Sequence, residues 1–326
     1  MTGVQTCALP ISCLLERITQ TKVWGGTGLT ELFGIRGEGP EPVGETWELF
    51  DRPDGCSRIR GGGTVREWME SDAKALLGER VKPGFGGYFP LLFKFLDAQQ
   101  PLSVQVHPDD AQAAAENDSG KSEAWLVLKA APDAQIIRGF QPGVTREQFA
   151  ANASTEAIEP LLYSFVPKVD DVINVPANTV HAVGAGCVIF EVQQNSDITY
   201  RIYDWGRKRK MHLEQAMRVS RIDDGSVQPT VTKVPLPDGS VQLIKTPYFR
   251  IRRHKVQRPL TVPTQGAFLV VTVLGGRGTL GWRSGGDDAP LPLGPGDCAL
   301  VPACTAEIYL SPIGSLDVAL TDPGLD

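Results

Sequence analysis

The stretch LSVQVHPDD, residues 102–110, contains the residues with the most definite chemistry in this chain. If the stretch forms a strand, its alternate side chains point to opposite faces. Ser103, Gln105 and His107 then share one face, and the leucine and valines between them pack on the other. Pro108 ends the strand, and the two aspartates after it can cap a short helix. One strand therefore presents a hydroxyl, an amide and an imidazole to the same space.

Two other segments supply the donors that a metal site would still need. Glu123 lies in GKSEAW and His181 lies in VPANTVHAVGAG. Together with Gln105 and His107 they give a mixed nitrogen and oxygen donor set that zinc and similar divalent cations accept. A single histidine is more often a hydrogen-bonded core residue, but four suitable donors together favour a metal site. Gln105 is the weakest ligand, because its neutral oxygen binds weakly, and it could lie just behind the ligands.

Seven segments, in this order and spacing, resemble the type I mannose-6-phosphate isomerases, in particular their short bacterial form. The segments are WGGTGLTELFG, GETWEL, LSVQVHPDD, GKSEAW, VPANTVHAVGAG, EVQQNSDITYRIYDWGR and TPYFRIRRHKV. The resemblance runs from about Lys22 to the C-terminus. It implies a metal-dependent isomerase that interconverts mannose 6-phosphate and fructose 6-phosphate through a cis-enediolate. It also implies one Zn²⁺ per chain, or another divalent cation, bound by Gln105, His107, Glu123 and His181.

The resemblance also implies roles for residues around the substrate. Arg201 matches the active-site arginine, Lys121 is the leading candidate for moving the proton between C2 and C1, and Asp197 could assist ring opening. The other positions that line the substrate pocket are Ser103, Lys94 and Glu191. The related long enzymes carry a histidine immediately before this lysine, where the present chain has Gly120. That difference favours Lys121 as the base, with a metal-bound water as the open alternative.

Four further polar features carry structural expectations. Polar residues alternate along 191–201, so they would share one face if the chain stays extended there. Asn178 stands at a turn where the family usually has glycine, and asparagine tolerates a positive φ better than most residues. The run RKRK at 207–210 is predicted to be a solvated loop rather than a phosphate clamp. His212 and His254 are predicted to lie on the surface.

The overall pattern is mainly β, with helical insertions in the N-terminal half. Glycine and proline are abundant and well spread, which suits short strands and turns. A capping box at Thr64–Glu67 predicts a helix that runs to about Arg80. Further helices are predicted at 111–117, 146–151, 155–164 and 212–221.

An internal repeat indicates the architecture. Residues 171–181 align without gaps to residues 297–307, with identical residues at five of the eleven positions. Each copy resembles the second conserved motif of cupins, and the second copy has glutamate where the first has histidine. We therefore expect two cupin-like jelly-roll barrels, a bicupin: residues 12–222 form a catalytic metal-binding barrel with helical insertions, and residues 235–322 form a second, metal-free barrel. Chance similarity of two strand–turn–strand units is the alternative.

Composition narrows the classes of function. The chain has 326 residues, a formal net charge of −6 and a pI near 5.4, which argue against nucleic acid or a membrane surface as partner. A sugar phosphate would therefore need locally positive charge. Six scattered cysteines without CxxC pairs predict free thiols in a cytoplasmic protein. The chain is expected to be a monomer or a homodimer.

Two alternative functions remain open from the sequence. A non-catalytic sugar-binding bicupin would have no need for the charged residues around an intact site. An iron-dependent cupin dioxygenase usually has an HxH motif, and Gln105 replaces the first histidine of that motif here. Separately, the first eleven residues, MTGVQTCALPI, look like the translation of a sequencing adapter, and we expect them to replace a few genuine residues.

Overall fold

A computed structural model describes residues 13–222, 230–282 and 289–325. The expected artefact at 1–11 and residues 223–229, where the domain boundary is expected to begin, lie outside the described residues. Within the described ranges, no helix is long and apolar enough to cross a membrane.

Short antiparallel strands dominate residues 13–222, and five α-helices interrupt them. The strands are β1 (Cys13–Leu14), β2 (Ile18–Gly26), β3 (Val43–Leu49), β4 (Asp51–Arg52), β5 (Gly55–Cys56), β6 (Leu91–Ala98), β7 (Val104–Val106), β8 (Glu123–Ala130), β9 (Ile136–Phe140), β10 (Leu162–Phe165), β11 (Val172–Val175), β12 (His181–Val183), β13 (Cys187–Gln194) and β14 (Tyr200–Tyr203). The helices are α1 (Gly28–Phe33), α2 (Val65–Leu77), α3 (Asp110–Ala113), α4 (Arg146–Asn152) and α5 (Leu213–Val219). Short 3₁₀ helices span Phe85–Gly87, Ala114–Glu116 and Glu156–Leu161.

The described residues after 230 form strands and turns. The strands are β15 (Val234–Pro235), β16 (Val241–Lys245), β17 (Arg250–Val256), β18 (Leu260–Pro263), β19 (Leu269–Trp282), β20 (Leu291–Leu293), β21 (Cys298–Val301) and β22 (Glu307–Asp322). With β1 they form a nine-stranded sheet in the order β1-β21-β19-β22-β17-β16-β15, in which β18 also pairs with β22 and β20 with β19. The prediction of a mainly β protein is confirmed.

Two sheets of the N-terminal region hold the predicted site residues. One has six strands in the order β11-β8-β13-β6-β3-β2, and the other has five in the order β10-β9-β12-β7-β14. Their apolar side chains meet in one cluster, in which Trp125 and Ile189 of the first sheet join Ile136 and Val183 of the second. Strands β6 and β13 are buried along their whole length. Polar residues on these strands are therefore enclosed by the protein.

The predicted capping box is present. Thr64 Oγ1 accepts the Glu67 N–H at the start of α2, and Glu67 accepts the Thr64 N–H in return. The helix ends at Leu77, slightly before the predicted end, and a second box of the same kind opens α4. The helix predicted at 155–164 is a 3₁₀ helix as far as Leu161, and the prediction is wrong for its last three residues. Those residues begin β10, whose aromatic side chains favour a strand.

Both copies of the sequence repeat adopt the same strand–turn–strand unit. The first copy runs through β11 and β12, and the second runs through β21 and the start of β22. In the first turn the Thr179 N–H donates to the Pro176 carbonyl over 3.2 Å, and in the second the Thr305 N–H donates to the Pro302 carbonyl over 3.0 Å. The repeat is therefore a matching backbone conformation as well as a matching sequence.

The N-terminal and C-terminal regions share one core. Strand β1 pairs with β21 of the C-terminal sheet, and the rings of Phe89 and Phe268 lie 4.8 Å apart between the two regions. Arg253 binds the carboxylates of Asp317 and Asp170 over 2.6 Å, which links β17 and β22 to the loop before β11. The two regions are therefore held together by strand pairing, by apolar packing and by an ion pair between Arg253 and Asp170.

The cysteines only partly match the expectation of free thiols. Cys13, Cys56, Cys187 and Cys298 are free, and burial raises the pKa of Cys187 to about 12. Cys304 is disulfide-bonded, so the prediction is wrong at this position. It lies on an exposed turn, whereas three of the four free cysteines are buried.

Replacing Phe268 by alanine tests the shared core. The ring is fully buried against Phe89, so Phe268→Ala should lower the free energy of unfolding by about 3–5 kcal/mol. Urea denaturation of the purified protein measures this change. Phe85→Ala serves as the matched control, because that ring is 44% exposed and its loss should have little effect. A loss below about 1 kcal/mol in Phe268→Ala would show that the two regions do not depend on this contact.

Candidate active site

Three strand ends bring the candidate ligands together. His107 follows β7, Glu123 begins β8 and His181 begins β12. Strands β7 and β12 are neighbours, with Gln105 directly opposite His181, whereas β8 belongs to the facing sheet. The donor atoms of His107, Glu123 and His181 all lie within 4.8 Å of one another. Three residues that span 74 positions of the sequence, from His107 to His181, thus form one buried cluster.

Backbone carbonyls orient both imidazoles. The Nδ1 of His107 lies 2.7 Å from the Ile198 carbonyl, and the Nδ1 of His181 lies 2.9 Å from the Thr179 carbonyl. A carbonyl can only accept, so in each ring Nδ1 carries the proton and Nε2 keeps its lone pair. The Nε2 atoms of His107 and His181 lie 3.3 and 3.8 Å from the carboxylate of Glu123. Metal-binding histidines are commonly held in this way.

The electrostatics of the cluster suit a cation. Burial lowers the pKa of His107 to about 3, and the charge of Lys121 adds to that shift. Burial alone would raise the pKa of Glu123, but His107, Lys121 and His181 outweigh it and hold the pKa below its usual value. His107 Nε2 is buried without a hydrogen-bond partner. Lone pairs that face a buried carboxylate repel it unless a cation lies among them, so these residues fit a divalent metal ion.

Gln105 lies beside the cluster. Its Oε1 accepts a hydrogen bond from Ser103 Oγ over 3.0 Å, and its Nε2 is 3.4 Å from His181 Nε2. A 180° rotation of the amide would exchange the two atoms and turn the oxygen towards His181. One orientation of the Gln105 amide therefore turns its oxygen towards the cluster, and the other turns its N–H towards His181.

A cavity of about 170 Å³ opens in front of the cluster. The residues that line it are Lys22, Trp24, Glu45, Lys94, Leu96, Leu102, Ser103, Gln105, Lys121, Glu123, Trp125, His181, Val183, Glu191, Asp197, Thr199, Arg201 and Arg209. They include every catalytic and substrate-binding residue predicted from the sequence, and His107 lies buried at its rear. The lining has five basic side chains and four carboxylates, which gives local positive charge in an acidic protein.

Two lysine–glutamate pairs lie in the cavity wall. Lys121 Nζ lies 3.5 Å from Glu123 Oε1, and Lys94 Nζ lies 3.8 Å from Glu191 Oε1. Lys94 also sits over the ring of Trp47, 4.9 Å from its centre. Burial and the nearby charge of Glu123 raise the pKa of Glu191 to about 7. The pKa values of Glu123 and Glu191 are therefore shifted in opposite directions although the two residues belong to neighbouring strands.

Trp125 joins the two carboxylates, and the sequence analysis did not identify it as a site residue. Its indole N–H donates to Glu191 Oε2 over 2.8 Å and to Glu123 Oε2 over 3.1 Å. Its ring also contacts the imidazole of His181 edge-on. The residue lies in GKSEAW, two positions after Glu123, so period-two alternation places it on the same face of β8. That spacing is the signal that could have identified it.

The polar row expected along 191–201 is broken. A turn in which the Ser196 N–H donates to the Gln194 carbonyl ends β13, so the chain does not stay extended. Gln193 and Asn195 bond to backbone carbonyls instead, whereas Glu191 and the residues at 197, 199 and 201 line the cavity. The expectation of one continuous face is therefore wrong in its middle and correct at both ends.

The basic run at 207–210 is more than a solvated loop. Arg207 and Arg209 both bind the buried carboxylate of Asp204, and Arg209 forms two contacts of 2.6 Å with it. Arg209 also lines the cavity beside Arg201, whose Nε is buried without a hydrogen-bond partner. The prediction missed this because a charge run in the sequence does not reveal that a buried aspartate requires paired cations.

Two histidines and one turn residue complete the comparison with the sequence. His254 is buried on β17 near Asp238, so its predicted surface position is wrong. His212 is half-buried, and its Nδ1 accepts the Arg201 N–H over 3.2 Å. Asn178 has a φ of 71°, as its position in the turn before His181 requires.

Comparison with known proteins agrees with this geometry. The family model described as phosphomannose isomerase type I, catalytic domain, matches residues 13–140. The probable mannose-6-phosphate isomerase GmuF of Bacillus subtilis is 34% identical over 82% of this chain and 86% of its own. The mannose-6-phosphate isomerase of Streptococcus mutans is 33% identical over 82% of this chain and 85% of its own. The crystal structure of the mannose 6-phosphate isomerase from Bacillus subtilis superposes with a TM-score of 0.84 and 27% identity, covering 96% of this chain and 99% of that one. The chain therefore belongs to the type I mannose-6-phosphate isomerase family.

Proposed function

We propose that this protein is a metal-dependent aldose–ketose isomerase that interconverts mannose 6-phosphate and fructose 6-phosphate. The observation that carries the proposal is an ionised carboxylate, Glu123, buried between two imidazoles at the wall of a basic cavity. Lys121 and Glu191 line the same cavity, and a protein that only stored or sensed sugars would have no need for them. The family membership and the geometry thus point to the same reaction.

The proposed metal ligands are Gln105, His107, Glu123 and His181. These donors are nitrogen and oxygen atoms, which zinc accepts, and we propose one Zn²⁺ per chain, with other divalent cations as possible substitutes. A divalent cation held there supplies Lewis acidity, which polarises the oxygens on C1 and C2 of the open-chain sugar. Two neutral imidazoles, an amide and a single carboxylate leave the centre with net positive charge, which this role requires.

The chain's own residues would move the protons. We assign to Lys121 the transfer of the proton from C2 to C1 on one face of the cis-enediolate, because its Nζ reaches into the cavity beside Glu123. Asp197, at the exposed rim, would assist ring opening. Arg201 would stabilise the negative charge of the enediolate through its unpaired Nε. Each of these groups lines the same cavity.

Substrate binding would use the remaining polar residues of the wall. Ser103, Lys94 and Glu191 are proposed to bind the sugar hydroxyls, and the basic side chains at the rim would attract the phosphate. Arg209 is held in place by Asp204 and lies next to Arg201. Binding of a dianion by a protein of net negative charge therefore depends on this local cluster.

We further propose two cupin-like jelly-roll barrels, covering residues 12–222 and 235–322. The support is the repeat: both copies form a strand, a turn with the same threonine-to-proline hydrogen bond, and a second strand. The first barrel would bind the metal. The second copy has glutamate in place of the ligand His181, and we propose that this barrel binds no metal.

Replacing His181 by alanine tests the ligand assignment. The substitution removes one of the two imidazoles, so His181→Ala should lose most of its bound zinc and its isomerase activity. Elemental analysis after dialysis and a coupled assay with mannose 6-phosphate measure both. His254→Ala is the matched control and should keep one zinc ion per chain. Stoichiometric zinc in His181→Ala would show that the ligands are elsewhere.

Replacing Lys121 by methionine separates chemistry from metal binding. Methionine keeps most of the side-chain length without the amine, so Lys121→Met should retain zinc and lose about two to four powers of ten in kcat. Steady-state kinetics and elemental analysis provide the measurement. Lys129→Met, at an exposed lysine, is the matched control and should behave as the parent. A kcat near that of the parent would transfer the proton-transfer role to Glu191 or to a water molecule.

A further inference from the structure

We propose that Asp110 and Gln194 form a hydrogen-bonded clamp that positions Lys121, and that Tyr248 of the C-terminal region supports it. The three residues are not part of the cavity that holds the candidate ligands. They lie behind the segment that carries Lys121 and Glu123 into it. The inference rests on the proposed function, because it concerns how the proposed proton-transfer residue is held.

The clamp holds the peptide groups on both sides of Lys121. Asp110 Oδ1 accepts the Gly120 N–H over 2.8 Å and the Gln194 side-chain amide over 2.9 Å. The Gln194 Oε1 in turn accepts the Ser122 N–H over 3.0 Å. The backbone N–H of Gln194 donates to the Ser122 carbonyl over 3.1 Å. Two side chains thus bind the residues immediately before and after the lysine.

The segment lies too close to α3 for a side chain at residue 120. A Cβ atom on Gly120 would come within 2.5 Å of the Asp110 nitrogen and 2.7 Å of the Asp109 carbonyl carbon. This close approach brings the Gly120 N–H within reach of the Asp110 carboxylate. The Lys121 N–H donates to the Pro108 carbonyl over 3.0 Å, which adds a third anchor. The glycine that distinguishes this chain from the long enzymes therefore permits the clamp.

Tyr248 reaches the clamp from the turn between β16 and β17. Thr246 Oγ1 accepts the Tyr248 N–H over 3.1 Å and fixes that turn. Tyr248 lines a second cavity together with Asp110 and Gln194. Burial, followed by the negative charge of Asp110, raises the pKa of the tyrosine, as this nearby position requires. It lies in TPYFRIRRHKV, a segment of the family resemblance for which the proposed reaction has no use.

Hydrogen bonds rather than packing hold the segment from this side. The second cavity, of about 510 Å³, lies behind it, and Asp110, Gln194 and Tyr248 all line that cavity. Removal of the clamp side chains therefore takes away the bonds to the Gly120 and Ser122 N–H groups and leaves only the backbone bonds at Lys121 and Ser122. A displaced Lys121 would still reach the cavity but in more orientations. Such a loss of orientation lowers kcat more than substrate binding.

The test compares Asp110→Ala, Asp110→Asn and Tyr248→Phe with the parent protein. In Asp110→Ala, kcat should fall by about 10- to 100-fold while KM stays within about threefold and zinc remains at one per chain. Asp110→Asn keeps an oxygen acceptor and should recover most of the loss. Tyr248→Phe removes one hydroxyl and should show a smaller fall in kcat. Tyr163→Phe, outside the clamp, is the matched control and should equal the parent.

Hydrogen–deuterium exchange provides a measurement that does not depend on activity. The Gly120 and Ser122 amides should exchange at least about tenfold faster in Asp110→Ala, and amides of β19 should be unchanged. Unchanged exchange at both amides would refute the clamp, as would an unchanged kcat. Loss of zinc in parallel with activity would also refute it, because the residues would then hold the metal ligands instead. A parent protein without isomerase activity would refute the proposed function, and the exchange experiment would still decide the clamp.

Discussion

A buried negative charge is the constraint on which the rest of this structure depends. Glu123 is 2% exposed, and the charge of Lys121, 3.5 Å away, helps to hold its pKa below the usual value. The two neutral imidazoles add to this stabilisation when a cation lies between them and the carboxylate. An isolated carboxylate at this depth would cost several kcal/mol, so the fold must supply compensating partners. It supplies them from strands that are distant in sequence, and each partner is itself oriented by a carbonyl or a neighbouring side chain. The groups that offset the cost of burying this carboxylate also hold it where it can bind a metal ion.

Two antiparallel sheets supply the residues around Glu123, because both sheets face the same cavity. One sheet contributes the histidines, through β12 and the end of β7, and the other contributes Glu123 and Glu191 through β8 and β13. Trp125 then links the two carboxylates, and Asp204 holds Arg209 at the rim. The C-terminal region has more than a structural role in this account, since its Tyr248 lines the second cavity beside Asp110 and Gln194.

The sequence predicted those features that alternation along one strand or a local turn can reveal. Gln105 beside the cluster, the capping box at Thr64 and the positive φ of Asn178 all follow from neighbours in sequence. The family resemblance added the residues that line the cavity. Features that depend on contacts between strands were missed. Arg209 was assigned to a solvated loop because its partner Asp204 was not known to be buried, and His254 was placed on the surface for a similar reason.

The break in the polar row along 191–201 has the same origin. Alternation predicts one face only while the backbone stays extended, and no residue before Ser196 signals the turn that ends β13. The role of Gly120 also could not be predicted from the sequence. The residue must lack a side chain because the backbone of Asp110 passes within contact distance of it, and only the tertiary structure reveals this. Local pattern thus identified the chemistry, and tertiary contacts determine how it is positioned.

Anomalous diffraction at the zinc absorption edge, from crystals of the active protein, tests the central claim most directly. The account predicts one strong peak per chain, between the Nε2 atoms of His107 and His181 and the carboxylate of Glu123. A peak at another location, or fully active crystals without any metal peak, would contradict the claim that this buried cluster is the metal centre of an isomerase.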